Sequence, residues 1–207
     1  MNKYNGIIIF GEMGAGKDTL ADILIELKPE IKKYGLGDLI RSLKPILRVT
    51  PEWKGNERGF YQQAADKLRE IDINILNYFA LSKIFENCRG KELKVISLEH
   101  KQEDIRDNLK KVNEEYIPMI VGGRTFADYD YWSGIGFVVV GIVTDLEKRM
   151  ERLIIRDGQE VAEKSDPNHN TEKNVREIVA KADYVVDNNG TLEELEHKAK
   201  ELLKEIF

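Results

Sequence analysis

Residues 7–20 read Ile-Ile-Ile-Phe-Gly-Glu-Met-Gly-Ala-Gly-Lys-Asp-Thr-Leu, and the rest of the chain is organised around them. An apolar run ends at Gly11, and apolar residues recur at helical spacing from Leu20. This order of strand, glycine-rich turn and helix matches the Gly-x4-Gly-Lys phosphate loop. Without Cβ atoms, successive backbone N–H groups can curl around a polyphosphate, and the helix N-terminus adds partial positive charge. A turn without a ligand is the alternative.

The loop residues predicted to bind phosphates are Gly11, Gly14, Ala15, Gly16, Lys17, Asp18 and Thr19. Lys17 is also predicted to be catalytic, because its ammonium group can reach the β- and γ-phosphates. The hydroxyl residue that usually follows this lysine and binds magnesium is replaced by Asp18. A carboxylate there can hold hydrated magnesium through water, since this ion keeps several of its waters.

Composition limits the other functions that the chain can have. A length of 207 residues favours one domain, and a net charge of −5 gives no global basic surface for nucleic acid. The single Cys88 cannot form an intrachain disulfide, which fits a reducing compartment. No signal peptide or apolar stretch of membrane-spanning length is visible, so we expect a cytoplasmic protein without a membrane partner.

Beyond the loop, short apolar runs alternate with amphipathic stretches. The predicted strands are 31–36, 93–98, 117–121, 137–143 and 184–186. The predicted helices begin at Asp38 as an N-cap, run from Phe60 toward Cys88, cover 105–112 and 171–182, and follow the capping boxes Thr144-x-x-Glu147 and Thr191-x-x-Glu194. The alternation predicts an α/β fold with a parallel sheet and helices on both faces. Ligands of such sheets bind beyond the carboxyl ends of the strands.

Arg149, Arg152 and Arg156 follow the run 137–143 at spacings that place them on one helical face. Three cations on one face repel one another, which favours an anionic partner. Arg152 and Arg156 are therefore predicted to stabilise a transferring phosphoryl group. A solvated face paired with acidic neighbours is the alternative. The polar segment 157–172 that follows is predicted to be a lid, with an ordinary surface loop as its alternative.

A second group of polar side chains lies in the segment 38–72, namely Asp38, Arg41, Arg58, Gln62 and Arg69. Arg58, Gln62 and Arg69 share one helical face, and a glutamine among arginines suits a polar ring plus a phosphate. Arg124 leaves the strand 117–121 at its carboxyl end, where it can meet a ligand phosphate. Solvated charges are the alternative for this group.

These motifs together resemble the phosphate-loop kinases of small metabolites, the nucleoside monophosphate kinase superfamily. The loop 11–19 is similar to that of phage-type deoxynucleoside monophosphate kinases and of phosphomevalonate kinase, which share Lys-Asp. Arg58-x3-Gln62-x6-Arg69 resembles the substrate helix of the first group, and Arg149-x2-Arg152-x3-Arg156 resembles the lid arginines. Residues 182–195, Ala-Asp-Tyr-Val-Val-Asp-Asn-Asn-Gly-Thr-Leu-Glu-Glu-Leu, resemble the last strand, loop and helix of dephospho-coenzyme A kinases.

The resemblance implies a phosphate-loop fold with a five-stranded core sheet, a substrate-binding subdomain at 38–90 and a lid at 150–175. It also implies ATP and Mg²⁺ as cofactors. Asn188-Asn189-Gly190 would contact the adenine, and Arg149 or Arg152 would pack on that ring.

Two departures from the resemblance bear on the metal and on the substrate. Monophosphate kinases usually carry an acidic residue directly before the arginine that here ends Gly122-Gly123-Arg124, so Asp18 or Glu99 would have to serve instead. Dephospho-coenzyme A kinases carry Lys-Ser-Thr in the loop and Asp-Ala-Asp after the second strand. This chain has Lys-Asp-Thr and Gly35-Leu36-Gly37-Asp38 there.

The predicted function is ATP-dependent phosphoryl transfer to a small phosphorylated metabolite, with a nucleoside or deoxynucleoside monophosphate favoured. Arg58, Arg69 and Arg124 would hold the acceptor phosphate, and Asp38 or Gln62 would recognise the acceptor. The alternatives are a dephospho-coenzyme A kinase and a nucleotide-binding regulator without catalysis. We expect a monomer or a homodimer.

Overall fold

The computed structural model describes residues 3–45, 57–88, 102–159 and 170–207. The strands are β1 (Gly6–Gly11), β2 (Ile31–Gly35), β3 (Ile117–Val121), β4 (Phe137–Val143) and β5 (Tyr184–Asp187). The helices are α1 (Lys17–Leu27), α2 (Asp38–Ser42), α3 (Glu57–Ile71), α4 (Ile75–Glu86), α5 (Gln102–Val112), α6 (Phe126–Gly134), α7 (Leu146–Asp157), α8 (Asn170–Val179) and α9 (Leu192–Ile206).

The strands form one five-stranded sheet in the order β2-β3-β1-β4-β5, and every pairing within it is parallel. The predicted α/β fold is therefore confirmed. The central strand β1 is buried along its length because helices cover both faces of the sheet. The loop that follows β1 consequently lies at the carboxyl edge of the sheet, between the ends of β3 and β4.

Alternation along β1 divides the core into two clusters. Ile8 and Phe10 face one cluster, which includes Trp132 and Leu109 from the helices on that side. Ile7 and Ile9 face the other, where α1 and α9 supply most of the helical residues. The phosphate loop thus begins at a strand that packing fixes from both sides.

The prediction of one helix from Phe60 toward Cys88 is wrong. The chain forms two helices, α3 and α4, with a turn between them. The turn is stabilised by Asp72, whose carboxylate accepts from the Asn74 N–H at 2.7 Å, while its carbonyl accepts from the Ile75 N–H. An aspartate that bonds the backbone two residues ahead competes with helix continuation.

The two predicted capping boxes have different outcomes. The box at the start of α9 is confirmed, because the Thr191 hydroxyl accepts from Glu194 N–H and the Glu194 carboxylate accepts from Thr191 N–H. The prediction of a capping box at Thr144 is wrong. Asp145 is the N-cap of α7, and the Thr144 hydroxyl instead donates to the carbonyl of Ala15 at 3.0 Å. This threonine therefore ties α7 to the phosphate loop.

Smaller differences concern the remaining helices. Asp38 is the first residue of α2 rather than its N-cap, and its carboxylate accepts from the Gly35 N–H at 2.8 Å. Helix α6 was not predicted, although Thr125 and Asp128 form a capping box at its start. The predicted strand 93–98, Glu99 and residues 160–169 of the predicted lid lie outside the described residues.

Candidate functional site

The loop between β1 and α1 has the backbone geometry of an anion cradle. Gly14 and Gly16 adopt positive φ angles of 79° and 96°, a region that is easily accessible only to glycine. Gly16 is the N-cap of α1 and provides no side-chain cap for the first amides of the helix. Those amides are available to a ligand, and the helix dipole favours a negative one.

Neighbouring elements pack directly against both glycines. A Cβ on Gly14 would lie 2.7 Å from the carbonyl oxygen of Arg149 in α7, and one on Gly16 would overlap the side-chain amide of Asn188. The Asn188 amide donates to the Ala15 carbonyl at 2.9 Å. Packing against α7 and the loop after β5 therefore fixes the shape of the phosphate loop, in addition to its own turns.

Lys17 folds back over the loop. Its Nζ donates to the carbonyls of Gly11 at 2.6 Å and Glu12 at 3.0 Å. Burial, and secondly the positive charge of Arg124, lower the pKa of Lys17 to about 8. The ammonium group is thus held in a place where an anion would stabilise its charge.

A cavity of about 990 Å³ opens in front of the loop, and we call it the phosphate-loop cavity. Its wall includes Lys17, Asp18, Thr19, Arg124, Arg152 and Arg156. Arg152 donates to the Asn188 carbonyl at 3.0 Å, and Arg156 lies one helical turn further along α7. The structure thus brings six cationic side chains around one space: Lys17, Lys33, Arg41, Arg124, Arg152 and Arg156.

Asp18 is the residue that could help to hold a metal. Its side chain is 73% exposed and lies 3.2 Å from the ammonium group of Lys33. In the described part of the chain, no group of three or more His, Cys, Asp or Glu side chains could hold a metal ion by itself. One carboxylate can suffice for Mg²⁺, because phosphate oxygens and waters complete its coordination.

A second cavity of about 550 Å³ lies between α2, α3 and the end of β3, and we call it the helical cavity. Its apolar wall includes Leu36, Ile40 and Leu76, and its polar wall includes Gln62, Arg69 and Arg124. The Arg69 guanidinium is 3.7 Å from the carboxylate of Asp128, which is fully buried. An apolar wall with a few polar groups at one end is typical of a small-molecule site.

The two cavities meet beside Arg124. Both are lined by Met13, Gly37, Arg41, Gly122 and Arg124. Gly122 has a φ of 98° and turns the chain away from the sheet at this point. Two arginines, Arg41 and Arg124, therefore lie where the phosphate-loop cavity and the helical cavity meet.

A buried ionic cluster lies behind the loop. Arg149 is 6% exposed, and its guanidinium contacts Glu12 at 3.1 Å and Glu172 at 4.0 Å. Arg176 approaches Glu12 at 3.4 Å. Burial raises the pKa of Glu12, and the two arginines oppose that rise. Arg149 therefore supports the loop from behind, whereas Arg152 and Arg156 line the cavity in front.

The predicted site residues are distributed between these places. Those that line one or both cavities are Gly14, Gly16, Lys17, Asp18, Thr19, Asp38, Arg41, Gln62, Arg69, Arg124, Arg152 and Arg156. Gly11 and Ala15 are buried at the base of the loop. Asn188 holds the loop carbonyl, as described above, and the side chain of Arg58 lies outside the described residues.

Three residues at this site were not predicted to belong to it: Glu172, Asp128 and Thr144. Glu172 belongs to a polar stretch and Asp128 to an aromatic one, and neither stretch indicates a buried carboxylate, yet the two residues are 4% and 0% exposed. Thr125-x-x-Asp128 offered a weak signal, since it is a variant of the capping box. The carboxylate of Asp128 accepts from the backbone N–H of Arg124 at 2.9 Å, so it organises the turn after β3.

Two proteins that carry the name UPF0200 are similar to the chain over most of its length. The one from Aeropyrum pernix is 29% identical over 202 residues, which cover 94% of this chain and 89% of that protein. The one from Sulfurisphaera tokodaii is 26% identical over 208 residues and 97% of both chains. No family profile matches the chain.

Solved structures resemble the chain in fold. The shikimate kinase of Aquifex aeolicus superposes with a TM-score of 0.53 at 16% identity, over 96% of this chain and 95% of its own. TT1252 from Thermus thermophilus superposes with a TM-score of 0.54 at 20% identity, over 98% of both chains. The shikimate kinase of Acinetobacter baumannii superposes with a TM-score of 0.51 at 14% identity, over 97% of this chain and 92% of its own.

The chain shares its parallel α/β fold with these solved structures, and its glycine loop lies at the carboxyl edge of the sheet. Among the described helices, none combines the length and the apolar character that crossing a membrane requires.

Proposed function

We propose that this protein is an ATP-dependent kinase that phosphorylates a small metabolite already carrying a phosphate, with nucleoside or deoxynucleoside monophosphates as the favoured acceptors. One observation carries the proposal. The cavity at the phosphate loop, which contains Lys17, Arg152 and Arg156, joins a second cavity at Arg124. Phosphoryl transfer requires a donor and an acceptor side by side, with cations around the group that passes between them.

On the donor side, the backbone amides of the loop and Lys17 would bind the ATP phosphates. Arg152 and Arg156 would stabilise the charge that spreads over the transferring phosphoryl group. Asn188 and its loop would lie against the adenine, with Arg152 near the ring, whereas Arg149 would support the loop from behind. The exposed carboxylate of Asp18 would help to hold hydrated Mg²⁺, which neutralises phosphate charge when it is bound.

On the acceptor side, Arg69 and Arg124 would hold the phosphate of the acceptor, together with Arg58. Gln62 or Asp38 would recognise the rest of the molecule. The buried Nε of Arg69 and Oδ1 of Asp128 have no hydrogen-bond partner among the described residues. Buried polar atoms are rarely left unpaired, so these atoms support a site that a polar ligand or water completes.

The test is a screen of melting temperature and of ADP release with ATP and a panel of acceptors. The panel contains nucleoside and deoxynucleoside monophosphates, dephospho-coenzyme A, and shikimate as an acceptor without a phosphate. A ligand that binds only the folded chain must raise its melting temperature. ADP release with a monophosphate supports the proposal. Stabilisation by ATP without turnover of any acceptor would favour the regulator, and turnover of shikimate alone would contradict the proposed substrate class.

The lowered pKa of Lys17 predicts a pH dependence of ATP binding. Phosphates bind the charged ammonium group, but in the ligand-free protein this group loses its proton near pH 8. Above that pH, binding must take up a proton, so ATP affinity should fall by up to ~10-fold per pH unit. Titration calorimetry from pH 7 to 9.5, in two buffers of different ionisation enthalpy, measures affinity and proton uptake together. Constant affinity over this range would contradict the prediction.

A further inference from the structure

Glu172, at the start of α8, joins three parts of the site. The Met13 N–H of the phosphate loop donates to its carboxylate at 2.9 Å. The same carboxylate lies 3.3 Å from the Arg124 guanidinium and 4.0 Å from that of Arg149. Glu172 is only 4% exposed, and a buried carboxylate is stable only when it is paired in this way.

Arg124, by contrast, has a side chain that is 40% exposed. Its backbone N–H is held by Asp128, but its guanidinium has a long, flexible stem and reaches the junction of the two cavities. Lys17 lines the same cavity, and before an anion binds the two cations repel each other. Without a fixed counter-charge, the Arg124 side chain would sample many rotamers away from Lys17.

We propose that Glu172 is a positioning residue, which holds the Arg124 guanidinium at the junction of the phosphate-loop cavity and the helical cavity. The proposal rests on the proposed function for the identity of the group that Arg124 receives, an acceptor phosphate. The ion pair with Glu172 orders Arg124 before the acceptor arrives, so that less conformational entropy is lost on binding. The contact with Met13 fixes the same carboxylate to the phosphate loop, and thereby sets the distance between Arg124 and the donor.

The test uses Glu172→Gln, with Glu177→Gln as a matched control on the exposed side of α8. A glutamine keeps the length of the side chain and can still accept from the Met13 N–H, but it removes the charge that holds Arg124. The first measurement is the order of the Arg124 Nε–H bond by nitrogen relaxation NMR, with the signal assigned from its loss in Arg124→Ala. We expect order close to that of the backbone in wild type and control, and a clear loss of order in Glu172→Gln. Equal order in all three proteins would overturn the proposal.

The second measurement is kinetic and uses the nucleoside monophosphate that the screen finds to be turned over best. Glu172→Gln should raise the KM for this acceptor about five- to ten-fold without weakening the affinity for a fluorescent ATP analogue. In an Arg124→Ala background the same substitution should leave KM unchanged, because the side chain that it positions is gone. A purely structural role would instead lower melting temperature, ATP affinity and turnover together, in both backgrounds, and this result would refute positioning.

The experiment remains decisive if Glu172→Gln fails to fold or if no acceptor is turned over. If Glu172→Gln does not fold, Glu172→Asp takes its place. Aspartate keeps the buried charge, but its shorter side chain moves that charge away from the Arg124 guanidinium. We expect the same loss of order at the Arg124 Nε–H bond. If no acceptor is turned over, the proposed function fails, while the NMR measurement still decides whether Glu172 positions Arg124.

Discussion

Alanine at Arg152 or at Arg156 is expected to lower turnover by ~10³-fold while ATP affinity changes only a few-fold. Both side chains line the phosphate-loop cavity beside Lys17. A cation that meets charge developing in the transition state contributes to turnover far more than to ground-state binding. The measurements are turnover, the ATP dissociation constant and melting temperature, each against wild type with the same acceptor.

The matched control for this experiment is Arg106→Ala. Arg106 lies on α5, where its guanidinium binds the carbonyl of Gly134 away from both cavities. Its loss should leave turnover unchanged. Arg152→Ala should also lower melting temperature slightly, because the hydrogen bond to the Asn188 carbonyl is lost. Turnover within a few-fold of wild type for both cavity variants would mean that this face of α7 is ordinary surface.

Lys17→Ala is expected to reduce ATP-dependent turnover by at least ~10²-fold, because the variant loses a charged donor to the phosphates. The fold should survive. The pKa of Lys17 in the folded chain, about 8, lies below its ordinary value of 10.5, so between these values the unfolded chain binds more protons. The free energy of unfolding therefore rises with pH between about pH 8 and pH 10.5. Below this range, at neutral pH, the buried charge of Lys17 destabilises the fold. Its removal should leave the melting temperature no lower than that of wild type.

The control for Lys17 is Lys200→Ala, which removes an exposed lysine of α9. Circular dichroism and calorimetry establish that both variants are folded, and binding of a fluorescent ATP analogue measures affinity. Wild-type turnover in folded Lys17→Ala would exclude the phosphate loop as the donor site. The affinity of the wild-type protein for the ATP analogue should fall above pH 8, whereas the residual affinity of Lys17→Ala should not change with pH in that range.

The parts of the fold that could be predicted were those with local signals. β1, its glycine loop and α1 follow from an apolar run, glycines and helical spacing, and the Thr191 box follows from side-chain chemistry within four residues. A capping-box pattern also begins at Thr144, but the Thr144 hydroxyl donates to the carbonyl of Ala15, which is distant in sequence. Local patterns cannot reveal such competition from tertiary contacts.

The residues of the site also divide into those with a local sequence signal and those placed by tertiary contacts. Arg152 and Arg156 could be proposed from their spacing, because a helix converts spacing into a shared face. Glu172 could not, since a carboxylate in a polar stretch gives the same signal whether solvent or an arginine surrounds it, and Asp128 had only the weak signal of a variant capping box. Arg149 shares the spacing of its two neighbours but is turned behind the loop, where Glu12 pairs with it. Only the packing of α7 on the loop separates these roles.

The common wall of the two cavities has a practical consequence for inhibitor chemistry. A single compound with adenosine at one end, a second nucleoside at the other and a phosphate chain between them is expected to span the boundary at Gly122 and Arg124. Such a bisubstrate ligand loses translational freedom once rather than twice, which favours its binding over that of the separate halves. A series of these compounds would act as a molecular ruler, because the number of phosphates in the tightest binder reports the span between the two subsites.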